Sequence, residues 1–92
     1  MYNRFAEMRR RYLREYRDGI YTGMLLTGKL DDRLKEIGDT AQEMFNRLVA
    51  RMKDAEGVTE RLKAENQMEW VGRMNSIRSR AEEVVLSELV YY

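Results

Sequence analysis

The chain has 92 residues, enough for one domain, and contains no cysteine, no histidine and no proline. Disulfide staples, the usual zinc, haem and iron–sulfur ligands, and histidine-based nucleophilic triads are therefore excluded. Seventeen Lys/Arg stand against sixteen Asp/Glu, a net charge of +1, so the chain as a whole is not a polyanion binder.

The strong helix formers Ala, Leu, Met, Glu, Lys, Arg and Gln are abundant, and charged residues make up 36% of the chain, a composition for exposed helical faces. The expected fold class is all-α, one helical domain over 1–92. Its parts are a basic helix over 1–18, a short connector helix or turn over 20–29, and long helices over 30–56 and 59–90.

The first helix reads as amphipathic. On a wheel of ~100° per residue, Phe5, Met8, Tyr12 and Tyr16 share one side. Arg4, Arg10, Arg11, Arg14 and Arg17 spread over the other, interrupted by Glu7 and Asp18, and Gly19 is a helix stop. Residues 1–28 hold six arginines and three acids, net +3, and residues 29–92 are net −2. The basic end is thus the first helix. Arg10, Arg14 and Arg17, at spacings of four and three, form a ridge suited to phosphate or to an acidic protein surface; a merely solvated face is the plainer reading.

The connector carries Tyr21, Met24, Leu25, Leu26 and Leu30, a density of apolar side chains that calls for cover. From Leu30 onward two heptad series interleave: Leu30, Ile37 and Met44, and Leu34, Ala41, Leu48 and Ala55, with Met52 continuing the first. This is a coiled-coil-like seam. Thr40-Ala41-Gln42-Glu43 fits a capping box, which raises a break near Gly38. The unbroken heptad favours a single helix. Gly57 reads as a helix C′ residue and Thr59 as the next N-cap. The last helix places Leu62, Trp70, Met74, Ile77, Ala81 and Val84 on one stripe, widened by Val85 and Leu89, with Trp70 and Ile77 expected in the core. Asn66, Gln67 and Glu69 interrupt it. The short link at Gly57 predicts that the long helices pack as an antiparallel hairpin, with the basic helix laid on it. The apolar end, Val84 to Tyr92, leaves room for a second copy and a dimeric bundle.

No apolar run approaches the ~20 residues of a membrane span, and no secretory pattern opens the chain, so a cytoplasmic protein without membrane contact is expected. Glycines are scattered singly, so no phosphate loop forms. Adjacent acids such as Asp31-Asp32 and Glu82-Glu83 point ~100° apart on a helix and make no paired-carboxylate site. No enzyme, cofactor, metal or small-molecule substrate is expected.

Several stretches carry a family resemblance: Met8-Arg9-Arg10-Arg11-Tyr12-Leu13, Tyr21-Thr22-Gly23-Met24-Leu25-Leu26-Thr27-Gly28-Lys29-Leu30, Glu56-Gly57-Val58-Thr59-Glu60, and Lys63 to Val71. Arg73-Met74-Asn75-Ser76-Ile77-Arg78 and Arg80 to Leu86 extend it. Together they resemble the TnpV family, small proteins encoded on transposons and related mobile elements of Gram-positive gut bacteria, from about Met8 to Tyr91. Family members carry an N-terminal extension ahead of the Met-Arg-Arg-Arg segment; here seven residues precede it. The resemblance implies a mobile-element setting and brings no activity or binding residue with it. Two function classes follow. One is a DNA-binding accessory factor that assists excision or regulates the element's genes. The other is a protein-binding module, a regulator of the element's recombinase or an anti-CRISPR-type inhibitor of a host defence nuclease. Either way the expected partner-facing residues are Arg4, Arg10, Arg11, Arg14 and Arg17, and the expected state is a homo-oligomer.

Overall fold

The computed structural model describes residues 2–92. Every regular element among them is helical: α1 (Arg4–Tyr16), α2 (Asp18–Leu26), α3 (Leu30–Glu56), α4 (Glu60–Glu65), α5 (Gln67–Val85) and a π-helical turn (Leu86–Val90). No helix among the described residues is long and apolar enough to cross a membrane.

The spine is α3, whose 27 residues span about 40 Å of a molecule measuring 55 × 20 × 19 Å. It runs unbroken through Gly38 and ends where Gly57 takes a left-handed φ of 66°, a conformation costly for any residue with a Cβ. Two partners share its length. At its start, Leu30 and Leu34 pack with Ala6 and Leu13 of α1. Toward its end, Val49 and Met52 pack around Val58, Met74 and Ile77. Midway, Ala41 meets Phe5 of α1 and Val85 and Val90. The order of these contacts means that α1 and α5 each run opposite in sense to α3. Ile77 is fully buried; Trp70 is half-buried, with the Lys63 ammonium 4.7 Å over its ring.

The close fit of α1 on α3 centres on Gly38. Asn3 caps α1 by accepting from the Ala6 N–H at 2.9 Å, while its side-chain amide donates to the Gly38 carbonyl at 2.8 Å. A Cβ at Gly38 would lie 2.6 Å from Asn3 Oδ1 and 2.8 Å from the Ala6 Cβ. Glycine here allows close helix-on-helix contact, and the helix is not broken.

Three expectations change. The single helix over 59–90 is two α-helices and a π turn. Asn66 ends α4 with φ −150° and ψ 84° and caps α5, its Oδ1 accepting from the Glu69 N–H at 3.1 Å and its amide donating to the Glu69 carboxylate at 3.3 Å. The polar residues that interrupt the stripe are therefore the cap of a new helix. At the other end, the Tyr91 N–H donates to the Leu86 carbonyl at 2.7 Å, closing a π turn. That extra residue moves the buried position from Leu89, which stays half-buried, to Val90, fully buried. In α1 the buried face is Phe5, Ala6, Arg9 and Leu13, rotated away from the expected Phe5, Met8, Tyr12 and Tyr16.

Candidate partner-binding surface

Arg9 rotates that face. The wheel treats arginine as solvent-facing, yet Arg9 is 8% exposed. Its guanidinium donates to the Val90 and Tyr92 carbonyls at 2.9 and 3.1 Å and lies 4.5 Å from the Tyr92 ring. It thus satisfies carbonyls that the π turn leaves open and fastens residues 86–92 to α1. Its charge is spent on folding, so it does not join a partner-facing set.

The five arginines expected to face a partner divide. Arg4 lies over the rings of Phe5 and Phe45, at 4.5 and 4.7 Å, and reaches Glu82 at 3.5 Å. It therefore tethers α1 to α3 and α5. Arg10 donates to Glu7 through Nε at 2.9 Å, and the same guanidinium, one turn away, holds the Glu7 carboxyl below its ordinary range. Arg11, Arg14 and Arg17 are exposed and form no ion pair among the described residues. Arg17 is not on the ridge with Arg10 and Arg14. It lies in the joint between α1 and α2, with φ −135° and ψ 50°, so α1 stops at Tyr16, and Gly19 falls inside α2.

At Arg11 lies a shallow groove of about 480 Å³, lined also by Met8, Tyr12, Glu15, Tyr16 and Tyr91. Its rings form a short ladder, with Tyr12 in contact with both Tyr16 and Tyr91 at centroid separations of 5.4 Å. Past the joint, α2 leaves apolar side chains in water: Ile20 is 53% exposed, Leu25 54% and Leu26 81%. This overturns the expectation that the connector's apolar residues are covered. Tyr21 and Met24 do pack, against the α1–α3 cluster, and they use the one face that α2 can bury. In sequence, the exposed Arg11, Arg14 and Tyr16 of α1 are followed by Arg17 in the joint and by the exposed Ile20, Leu25 and Leu26 of α2. Of these residues, only the arginines are legible in the sequence as site candidates. The i, i+4 pair Tyr12/Tyr16 is a readable signal too, but its spacing points equally well to the core.

A second concavity, about 610 Å³, lies between α3 and α5 and includes Arg4, Phe45, Val49, Lys53, Arg78 and Glu82. It mixes both charge signs and carries no exposed apolar cluster. Among the described residues no group of three Asp or Glu side chains converges as a metal site would.

The model of the family described as "Transposon-encoded protein TnpV" matches residues 1–90. The chain belongs to the TnpV family. Its family is transposon-encoded, which points to an accessory role in a mobile element. No curated protein and no solved structure matches the chain.

Proposed function

We propose that this TnpV-family chain is a non-enzymatic accessory protein of its element, acting in the cytoplasm, and that it works by binding another protein through the α1–α2 end. On this reading the antiparallel pairing of α3 with α5 is a scaffold that holds α1 in place. The observation that carries the proposal is the exposure of three large aliphatic side chains on α2, Ile20, Leu25 and Leu26, the last 81% exposed. Large aliphatic side chains left in water, with exposed arginine and tyrosine on the preceding helix, suit protein docking. The aliphatic side chains have nothing to offer a phosphate backbone. A recombinase of the element or a host defence nuclease, inhibited in anti-CRISPR fashion, are the kinds of partner that the setting suggests.

DNA binding, in excision or regulation, is the second reading. It draws on Arg11, Arg14 and Arg17, which keep no carboxylate partner among the described residues. Titration of labelled duplex DNA across a salt series separates the two. Three phosphate contacts would make affinity fall about 40-fold between about 50 and about 200 mM salt, a log–log slope of about −2.7. The protein reading expects no binding tighter than about 0.1 mM at physiological salt, the weak end of non-specific association. Micromolar binding with that slope, abolished when the three arginines become alanine, would establish the DNA reading instead.

A further inference from the structure

The tyrosine groove is assembled from opposite ends of the chain. Tyr12 and Tyr16 come from α1, and Tyr91 is the residue that follows the π turn. Arg9 fixes the arrangement. Its guanidinium lies 5.7 Å from the Tyr12 ring and donates to the carbonyls of Val90 and Tyr92, the residues on either side of Tyr91. The Tyr91 N–H is held as well, by the Leu86 carbonyl. The rings are thus in place before a ligand arrives, which lowers the entropy cost of binding. Tyr16 is 67% and Tyr91 45% exposed, and the hydroxyls of all three tyrosines engage no protein group among the described residues. Arg11 and Glu15 both line the groove, one helical turn apart, and neither forms an ion pair among the described residues. The groove therefore offers aromatic area, spare hydrogen-bond donors and one charge of each sign.

We propose that this groove binds a proline-rich segment of a partner protein in the polyproline II conformation. The inference rests on the protein-binding reading and names the chemistry of one contact; it does not require the groove to adjoin the exposed side chains of α2. Hydrogen bonding selects the backbone. A helical ligand keeps its own carbonyls paired and has no use for three hydroxyl donors. A polyproline II segment has no internal hydrogen bonds, so its carbonyls are free to accept from tyrosine while its rings pack on the aromatic ladder. A strand would need a sheet edge, and every regular element among the described residues is helical. Length agrees: two centroid steps of 5.4 Å span at most about 11 Å, a little over one polyproline turn of about 9 Å. Charge agrees too. With Arg11 offset by Glu15 the groove is neutral, and its complement is an uncharged apolar segment, not a polyanion. The chain contains no proline, so neither a second copy nor another part of this chain can supply the ligand.

The test is an NMR titration of the isotope-labelled full chain with decaproline and, separately, with a Gly/Ser decapeptide and with oligothymidine. Decaproline is expected to shift the amides of Met8 to Tyr16 and of Tyr91 saturably and to leave those around Trp70, at the other end of the molecule, unmoved. The Gly/Ser peptide should bind at least about ten-fold more weakly. Tyr16→Ala and Tyr91→Ala should each weaken decaproline by about ten-fold or more while the melting temperature holds, since both rings are exposed. Tyr16→Phe, which removes only the hydroxyl, should cost about two- to ten-fold. Because the charges of the groove balance, affinity should change by less than about two-fold between ~50 and ~200 mM salt. The absence of decaproline shifts at the tyrosines, or full binding by Tyr16→Ala, would overturn the inference; the protein-binding reading would still be judged by the DNA titration. Equal binding of the Gly/Ser peptide would overturn the polyproline argument. If oligothymidine moved these tyrosines where decaproline did not, with affinity falling steeply with salt, the ladder would be a base-stacking platform and the proposal would fall.

Discussion

Replacing Gly38 with alanine should destabilise the protein, although the substitution improves helix propensity. In an open helical position alanine gains up to ~1 kcal/mol over glycine. At Gly38 the new methyl would stand 2.6 Å from Asn3 Oδ1 and 2.8 Å from the Ala6 Cβ. The first neighbour is a side chain that can swing away, but only by giving up its cap on the Ala6 N–H and its bond to the Gly38 carbonyl. Those are worth about 1 kcal/mol each. The second neighbour is fixed to the α1 backbone, so the helix itself must shift, an overpacking cost of about 1–3 kcal/mol. Against the propensity gain, the net is a loss of about 2–4 kcal/mol. For a domain of this size that lowers the melting temperature by roughly 10 °C or more. Gly72→Ala is the internal control. It lies inside α5, where an added methyl would meet nothing within 4 Å, so it should stabilise by about 0.4–1 kcal/mol. Thermal melts followed by circular dichroism, with the two variants side by side, decide the matter. If Gly38→Ala raises the melting temperature as Gly72→Ala does, α1 does not sit on α3 as described.

Ile77→Ala should cost about 2–5 kcal/mol in denaturant melts, since Ile77 is fully buried beside Val58 and Met74; an unchanged midpoint would mean that this end of the core is misassigned. Arg9→Met keeps the stem but strands the Val90 and Tyr92 carbonyls, so a loss of about 2 kcal/mol is expected, with earlier proteolytic cleavage within residues 86–92. Wild-type protease resistance in that variant would show that Arg9 does not hold the segment.

The long helix can be read from sequence because its signals agree: apolar side chains recur at spacings of three and four from Leu30 to Met52, and Gly57 closes it. The end of the chain cannot. Asn66-Gln67-Met68-Glu69 has the cap residue and the acid three positions on, but it lies within a run of helix formers, and the same pattern at Ser79 and Glu82 caps nothing. The shift from Leu89 to Val90 comes from the single π turn at Leu86–Val90, which leaves hydrophobic periodicity intact before it. Arg9 is hidden by its type. Its burial depends on carbonyls more than eighty positions away in sequence, which no local wheel contains. The same limitation applies to the candidate surface. Which arginines stay free is settled by Glu82, Phe45 and Glu7, and two of those three lie outside α1.

In the free chain α2 is held by Tyr21 and Met24 alone and leaves Ile20, Leu25 and Leu26 in water. Amide hydrogen exchange of the purified protein at low concentration reads this directly. The account predicts that amides from Ile20 to Leu26 exchange rapidly while those in the middle of α3 are strongly protected, because α2 has few buried contacts to oppose local opening. Protection of α2 equal to that of α3 would mean that its exposed apolar side chains are already covered, and would contradict this reading.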